Sequence, residues 1–111
     1  MTVGELQQQI NLELISGRSG IERPVNGVYI GDMLSWVMAK AGQETAWITI
    51  QTNLNILAVA IMADISCVII AENAEIPIET INKSDDEEIP ILRSPMSAFE
   101  LAVSLHGVMR Q

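Results

Sequence analysis

Apolar and polar positions fall in short blocks along this chain, and the blocks change period from one to the next. Cys67-Val68-Ile69-Ile70 is an unbroken apolar run, the pattern of a strand covered on both faces. Thr2-Val3-Gly4-Glu5 fits the S/T-x-x-E capping box and predicts a short helix to about Ile10. Leu12 to Ile15 reads as a short strand, followed by a Ser16 to Gly20 loop. Pro24 and Asn26-Gly27 mark a turn, and Val28-Tyr29-Ile30 reads as a strand between two glycines. Asp32 is placed to cap the next helix, which runs to about Ala41 and stops at Gly42. Trp47 to Ile50 is a strand, Leu54 to Asp64 a very apolar helix, and Pro77 opens a weak helix to about Lys83. Asp85 to Glu88 reads as a charged loop. Ile89 to Leu92 is a strand that Pro90 pushes toward a sheet edge, and Ser94-Pro95 opens a last helix to about Val108.

From Val28 onward, strand and helix alternate. That order predicts an α/β fold with a mostly parallel sheet and helices on both faces, a three-layer sandwich. No long linker divides the chain, so residues 1–111 form a single domain.

The helix from Leu54 to Asp64 is apolar all round. At 100° per residue Leu54, Leu57, Ala58, Ile61 and Ile65 share one face, expected on the sheet. Ile56, Val59, Ala60 and Ala63 form a second face, which needs a cover of its own. The cover is either the last helix of the same chain or a second copy. The small residues Ala60 and Ala63 favour the second copy, and with it a homodimer.

Composition narrows the function. The chain is 49% hydrophobic and only 18% charged, with a net charge of −8. Seven of its 14 acids lie between Glu72 and Glu88. Such a surface repels nucleic acid and an anionic membrane, and no basic stripe offsets it. The apolar stretches are too short to span a bilayer, and no signal-peptide pattern opens the chain, so a cytoplasmic location is expected. The one cysteine, Cys67, falls in a buried strand and reads as a small hydrophobe. The lone His106 has no cluster of Cys or carboxylate around it, and Asp85 to Glu88 lacks calcium-loop spacing, so no metal or cofactor is expected. Trp36 and Trp47 read as core or interface anchors.

Three places carry candidate ligand residues. Thr52, Asn53 and Asn55 surround the start of the apolar helix, where free amides favour an anion; the simpler reading makes Thr52 or Asn53 the N-cap. The Ser16 to Gly20 loop has the composition of an anion nest around Gly17, with Arg23 close by; a flexible turn is the simpler reading, and the loop lacks the ending of a P-loop. Arg93, Ser94 and Ser97 follow the last strand at the same sheet edge as Thr52, with Arg93 serving a ligand or pairing with nearby acids. No nucleophile has a base partner, so catalysis is not expected.

The run Glu22-Arg23-Pro24-Val25-Asn26-Gly27-Val28-Tyr29-Ile30-Gly31-Asp32-Met33-Leu34-Ser35 resembles the signature region of the DRTGG domain. So do Trp47-Ile48-Thr49-Ile50-Gln51-Thr52 and the ending Ile89-Pro90-Ile91-Leu92 through Phe99-Glu100. The name motif is altered: Glu22, Asn26 and Val28 stand where Asp, Thr and the second Gly are usual. The resemblance implies a stand-alone domain similar to the N-terminal domain of HPr kinase/phosphorylase, of a kind that is regulatory or dimer-forming. The expected function is a non-catalytic, ligand-sensing homodimer that binds a small anionic or nucleotide-like molecule. The alternative is a protein-interaction module without a small ligand, linked through the family to iron hydrogenase maturation or regulation.

Overall fold

Strand and helix alternate to build one sheet of five strands in the order β1-β5-β4-β3-β2. The strands are β1 (Glu13–Ser16), β2 (Gly27–Ile30), β3 (Thr45–Thr49), β4 (Cys67–Ile70) and β5 (Ile91–Arg93). The helices are α1 (Val3–Gln9), α2 (Leu34–Lys40), α3 (Asn55–Met62), α4 (Ile78–Glu87) and α5 (Ala98–Met109). This computed structural model describes residues 1–110. β2 through β5 run parallel, while β1 joins β5 antiparallel with a bulge between Leu14 and Ser16.

The sheet separates two cores. On one side α1 and α5 bring Val3, Leu6, Leu101 and Leu105 onto Ala46, Ile48, Cys67, Ile69 and Leu92. On the other, α2 and α3 bring Val37, Ile56 and Leu57 onto Trp47, Val68, Ile70 and Ile91. α4 completes that layer between α3 and β1. β3 and β4 are buried at every position, as parallel strands covered on both faces must be. Trp47 is fully buried, and its indole N–H donates to the Gly31 carbonyl at 2.8 Å.

Local signals explain the ends. Thr2 caps α1 in a capping box, and its amide, donating to the Glu5 carboxylate at 2.8 Å, is the main cause holding that carboxyl below its ordinary value of 4.5. Gly42 follows α2 at φ +75°, the left-handed position that ends a helix without strain.

Several expectations are corrected. Asp32 does not cap α2; its Oδ1 accepts from the Thr49 hydroxyl (2.7 Å) and the Ile50 amide (3.0 Å), tying β2 to β3. The last helix starts at Ala98, with Ser97 as cap and Glu100 completing the box, while Ser94 turns the chain by accepting the Met96 amide. Asp85 to Glu87 are the last turn of α4, not a loop, and Glu88 ends it in the left-handed region. Pro90 does not mark an edge: β5 lies between β1 and β4, and Pro90 precedes it and accepts from the Val68 amide.

The expected faces of α3 are met only in part: Leu57 and Ile65 are buried as expected, but Leu54, Ala58 and Ile61 of the same face are exposed and the second face turns inward. Ile56, Val59 and Ala60 are buried within this chain together with Leu57, and Ala63 is half-buried. Ile56, Val59 and Ala60 are thus core residues covered by their own chain, not by a second copy. Leu54, Ala58, Ile61 and Met62 face outward. A helix apolar on all sides has almost no directional signal, so the packing of α2 and α4 beside it decides which face turns inward.

Candidate functional site

The carboxyl ends of parallel strands are where ligands sit in open α/β sheets. Here that edge is uneven. Above β4 and β5 it is sealed by the chain's own backbone: the Glu72 amide donates to Met96 and the Asn73 amide to Ser94, both at 2.9 Å. Glu72 and Asn73 adopt positive φ to do so. Above β2 it opens into a cleft of about 400 Å³, lined by Tyr29, Ile30, Gly31, Asp32, Met33 and Trp36.

This cleft has an aromatic wall and one fixed acceptor. Trp36 is 56% exposed, with the Lys40 ammonium 4.1 Å from its ring centroid. Both internal bonds of the Asp32 carboxylate land on Oδ1, and Oδ2 accepts none among the described residues. The Gln51 side chain donates to the Asp32 carbonyl at 3.1 Å, and Asn53 donates to Gln51 at 3.4 Å. The cleft is thereby tied to the β3–α3 turn. A second groove, of about 510 Å³, lies on the opposite face of β2, between Val28, Tyr29, Ile30 and the Ala102, His106, Met109, Arg110 side of α5.

The residues expected to hold a ligand do not converge. Asn53 accepts the Asn55 amide at 2.9 Å, a turn bond just ahead of α3, and the Thr52 carbonyl is held by the buried Thr80 hydroxyl at 2.9 Å. Arg93 pairs with Glu13 at 3.3 Å, the second of its two readings. Ser94 and Ser97 spend their hydroxyls on the Met96 and Glu100 amides. Gly17 and Arg23 lie at the opposite, amino-terminal edge. The nest around Gly17 takes an anion from the same chain, for its amide donates to Asp85 at 2.7 Å. Arg23 faces Asp64 at 3.9 Å.

Tyr29 and Trp36 are the cleft residues that the hydrophobic pattern does not single out, because α2 is apolar on more than one side. The available signal is the i, i+4 spacing of Trp36 and Lys40 beside the glycine-flanked strand. Burial pushes the Cys67 thiol up to about 12, so it is no nucleophile at neutral pH. Among the described residues no cluster of three or more His, Cys, Asp or Glu is placed to hold a metal ion.

Layering, strand order and the open β2 end together define a three-layer α/β domain. The chain belongs to the DRTGG domain family, whose profile matches residues 5–108. Its fold is similar to part of a structure of the CBS and DRTGG domains of the regulatory region of Clostridium perfringens pyrophosphatase, solved in complex with the activator diadenosine tetraphosphate. The TM-score is 0.71 at 14% identity, over 91% of this chain and 44% of that one. The chain thus spans less than half of that regulatory region. No curated protein matches it.

Proposed function

We propose that this chain is a non-catalytic regulatory domain that acts as a homodimer and senses a nucleotide-like ligand. The observation that carries the ligand class is the cleft at the end of β2. Trp36 offers the ring face that Lys40 leaves uncovered to a planar base, Tyr29 lines the wall beside it, Asp32 Oδ2 accepts from an exocyclic amine, and Lys40 supplies a cation for a phosphate. A bare inorganic anion fits less well, because the Asp32 carboxylate would repel it. Of the residues expected from sequence, Thr52 and Asn53 remain in this reading as part of the adjoining turn. The nucleotide activator bound by the pyrophosphatase regulatory region is consistent with the ligand class.

The test is a thermal-shift and calorimetric series with adenosine, AMP, ATP, diadenosine tetraphosphate, acetyl phosphate and phosphate. Saturation at 100 times Kd raises stability by about 2.7 kcal/mol. A shift with the adenine compounds that disappears in Trp36→Ala and Asp32→Asn supports the reading. A shift that survives both changes, or none with any compound, refutes it.

A second reading is a protein-interaction module without a small ligand, with a hydrogenase-linked partner among its family-based options. It draws on the outward Leu54, Ile61 and Met62 of α3. Retention of binding to a captured partner after Trp36→Ala, with loss after Met62→Asp, separates it from the first.

A further inference from the structure

The two edges of the sheet are built differently. β1 carries a bulge and a Glu13–Arg93 ion pair, two devices that stop a strand from adding to an edge. β2, Gly27-Val28-Tyr29-Ile30, has no charge, proline or bulge, and pairs in regular parallel register with β3 alone. Its outer side chains are bare: Val28 is 37% exposed and Ile30 46%.

The layers above and below end in the same way. Helical spacing puts Phe99, Val103, His106 and Arg110 on one flank of α5, next to the groove that β2 shares with Ala102 and Met109. Phe99 is 76% exposed and Val103 57%. On the other face, Met33 and Trp36 of α2 stand beside Tyr29 and Ile30. All three layers therefore present apolar side chains at one end of the molecule. Phe99 and Trp36 alone expose roughly 250 Å² at ~150–250 Å² per aromatic side chain, toward the ~800 Å² per partner of a stable interface.

We propose that a second copy of this chain seats on this end, β2 against β2 in antiparallel register about a two-fold axis at Tyr29. The proposal rests on the homodimer reading and names its face. Val28 of one copy then lies opposite Ile30 of the other, a β-branched pair across the strands, and the two sheets join into one. The α5 flanks meet over Phe99 and Val103, and the α2 flanks bring the two clefts next to each other.

Charge selects this end and this occupant. Seven acids lie between Glu72 and Glu88, on the connection from β4 through α4 to β5. β4, where that run begins, is two strand spacings from β2, about 10 Å, and β5 is three, about 14 Å. Pairing through β2 keeps the two acidic regions more than about 20 Å apart, over twice the ~8 Å screening length. Pairing through the outward face of α3 would bring Glu79 and Asp86 of the neighbouring α4 toward their counterparts. Near the β2 end the charges are few and of both signs: Arg110 lines the groove beside β2, Lys40 lies over Trp36, and Asp32 lines the cleft.

The experiment is sedimentation velocity on the full chain at micromolar concentration, with circular dichroism to verify folding. Ile30→Lys and Phe99→Asp are each expected to weaken the dimer about a hundredfold, ~2.7 kcal/mol. Ile61→Asp, on α3, is expected to leave it intact. The Val28→Cys/Ile30→Cys double variant should form a covalent dimer on mild oxidation, since Cys67 is buried and silent. If Ile30→Lys unfolds, Phe99→Asp and the cross-link decide. A wild-type dimer unmoved by Phe99→Asp, and no cross-link, would overturn this face while leaving the homodimer standing. A wild-type monomer would overturn both.

Discussion

The Gly17 amide donates a 2.7 Å hydrogen bond to Oδ1 of Asp85, 68 residues further along the chain. That bond fastens the end of β1 to the last turn of α4. Gly17 sits at φ +74°, and a Cβ there would lie 2.2 Å from the Ile89 carbonyl oxygen. Gly20 is just as confined, at 2.1 Å from the Glu88 carbonyl oxygen. The two glycines let one loop lie flat on the α4–β5 connection.

Gly17→Ala combines a left-handed backbone with a collision against main chain, so it should cost about 3 kcal/mol. Asp85→Ala removes a part-buried charge-assisted bond and should cost about 1.5 kcal/mol. Urea denaturation of the two variants measures the difference. Equal losses would mean that the carboxylate, not the close approach, fixes this loop.

Ser84 is fully buried, and its hydroxyl donates to the Ile89 carbonyl at 2.6 Å while accepting from Ser16 at 2.8 Å. Ser84→Ala strands both partners away from water and should cost about 2 kcal/mol. The Ser16→Ala/Ser84→Ala pair should cost less than the sum of the single changes, because the second removal strands one group fewer. A double-mutant cycle by chemical denaturation checks this; strict additivity would contradict the hydroxyl chain.

Burial raises the Cys67 thiol from 9.0 to about 12, so the folded chain keeps a proton that the unfolded chain releases. Its contribution is complete below pH 9 and declines by about 1.4 kcal/mol per pH unit as pH rises toward 12. Cys67→Ala should be less stable at neutral pH yet show a shallower alkaline decline. Parallel slopes for the two proteins would rule the thiol out as a source of alkaline lability.

The outward turn of Ile61, expected on the same face as Leu57, is measured by a pair of truncations. Leu57 is fully buried and Ile61 is 46% exposed. Leu57→Ala should cost about 2–5 kcal/mol, and Ile61→Ala less than about 1 kcal/mol in the monomer. Thermal melts at low protein concentration distinguish them, and similar losses would return Ile61 to the core.

Much of the fold is legible where local chemistry decides it. The Thr2–Glu5 box, the left-handed Gly42, the apolar Cys67–Ile70 run and the strand–helix alternation each predict the element that forms, and the DRTGG resemblance holds across the chain. What is not legible depends on partners distant in sequence. Nothing near Gly17 announces that its anion is Asp85, and nothing near Asp32 announces Thr49. Pro90 suggests an edge because the sequence does not reveal that β1 returns to pair beyond β5. The candidate site follows the same division: the β3–α3 turn is visible as a polar interval, whereas the Tyr29–Trp36 cleft exists only once α2 has packed beside β2.

The pairing of β1 with β5 sets a timetable for synthesis. Glu13 and Arg93 are 80 residues apart, so at ~5–20 residues per second the first strand waits about 4 to 16 s for its partner to be made. Until then the apolar edge of β4 is uncovered. Chaperone demand during translation should therefore fall on the β1 and β4 segments, and a chain cut short before Ile91 would leave both exposed as sticky strands.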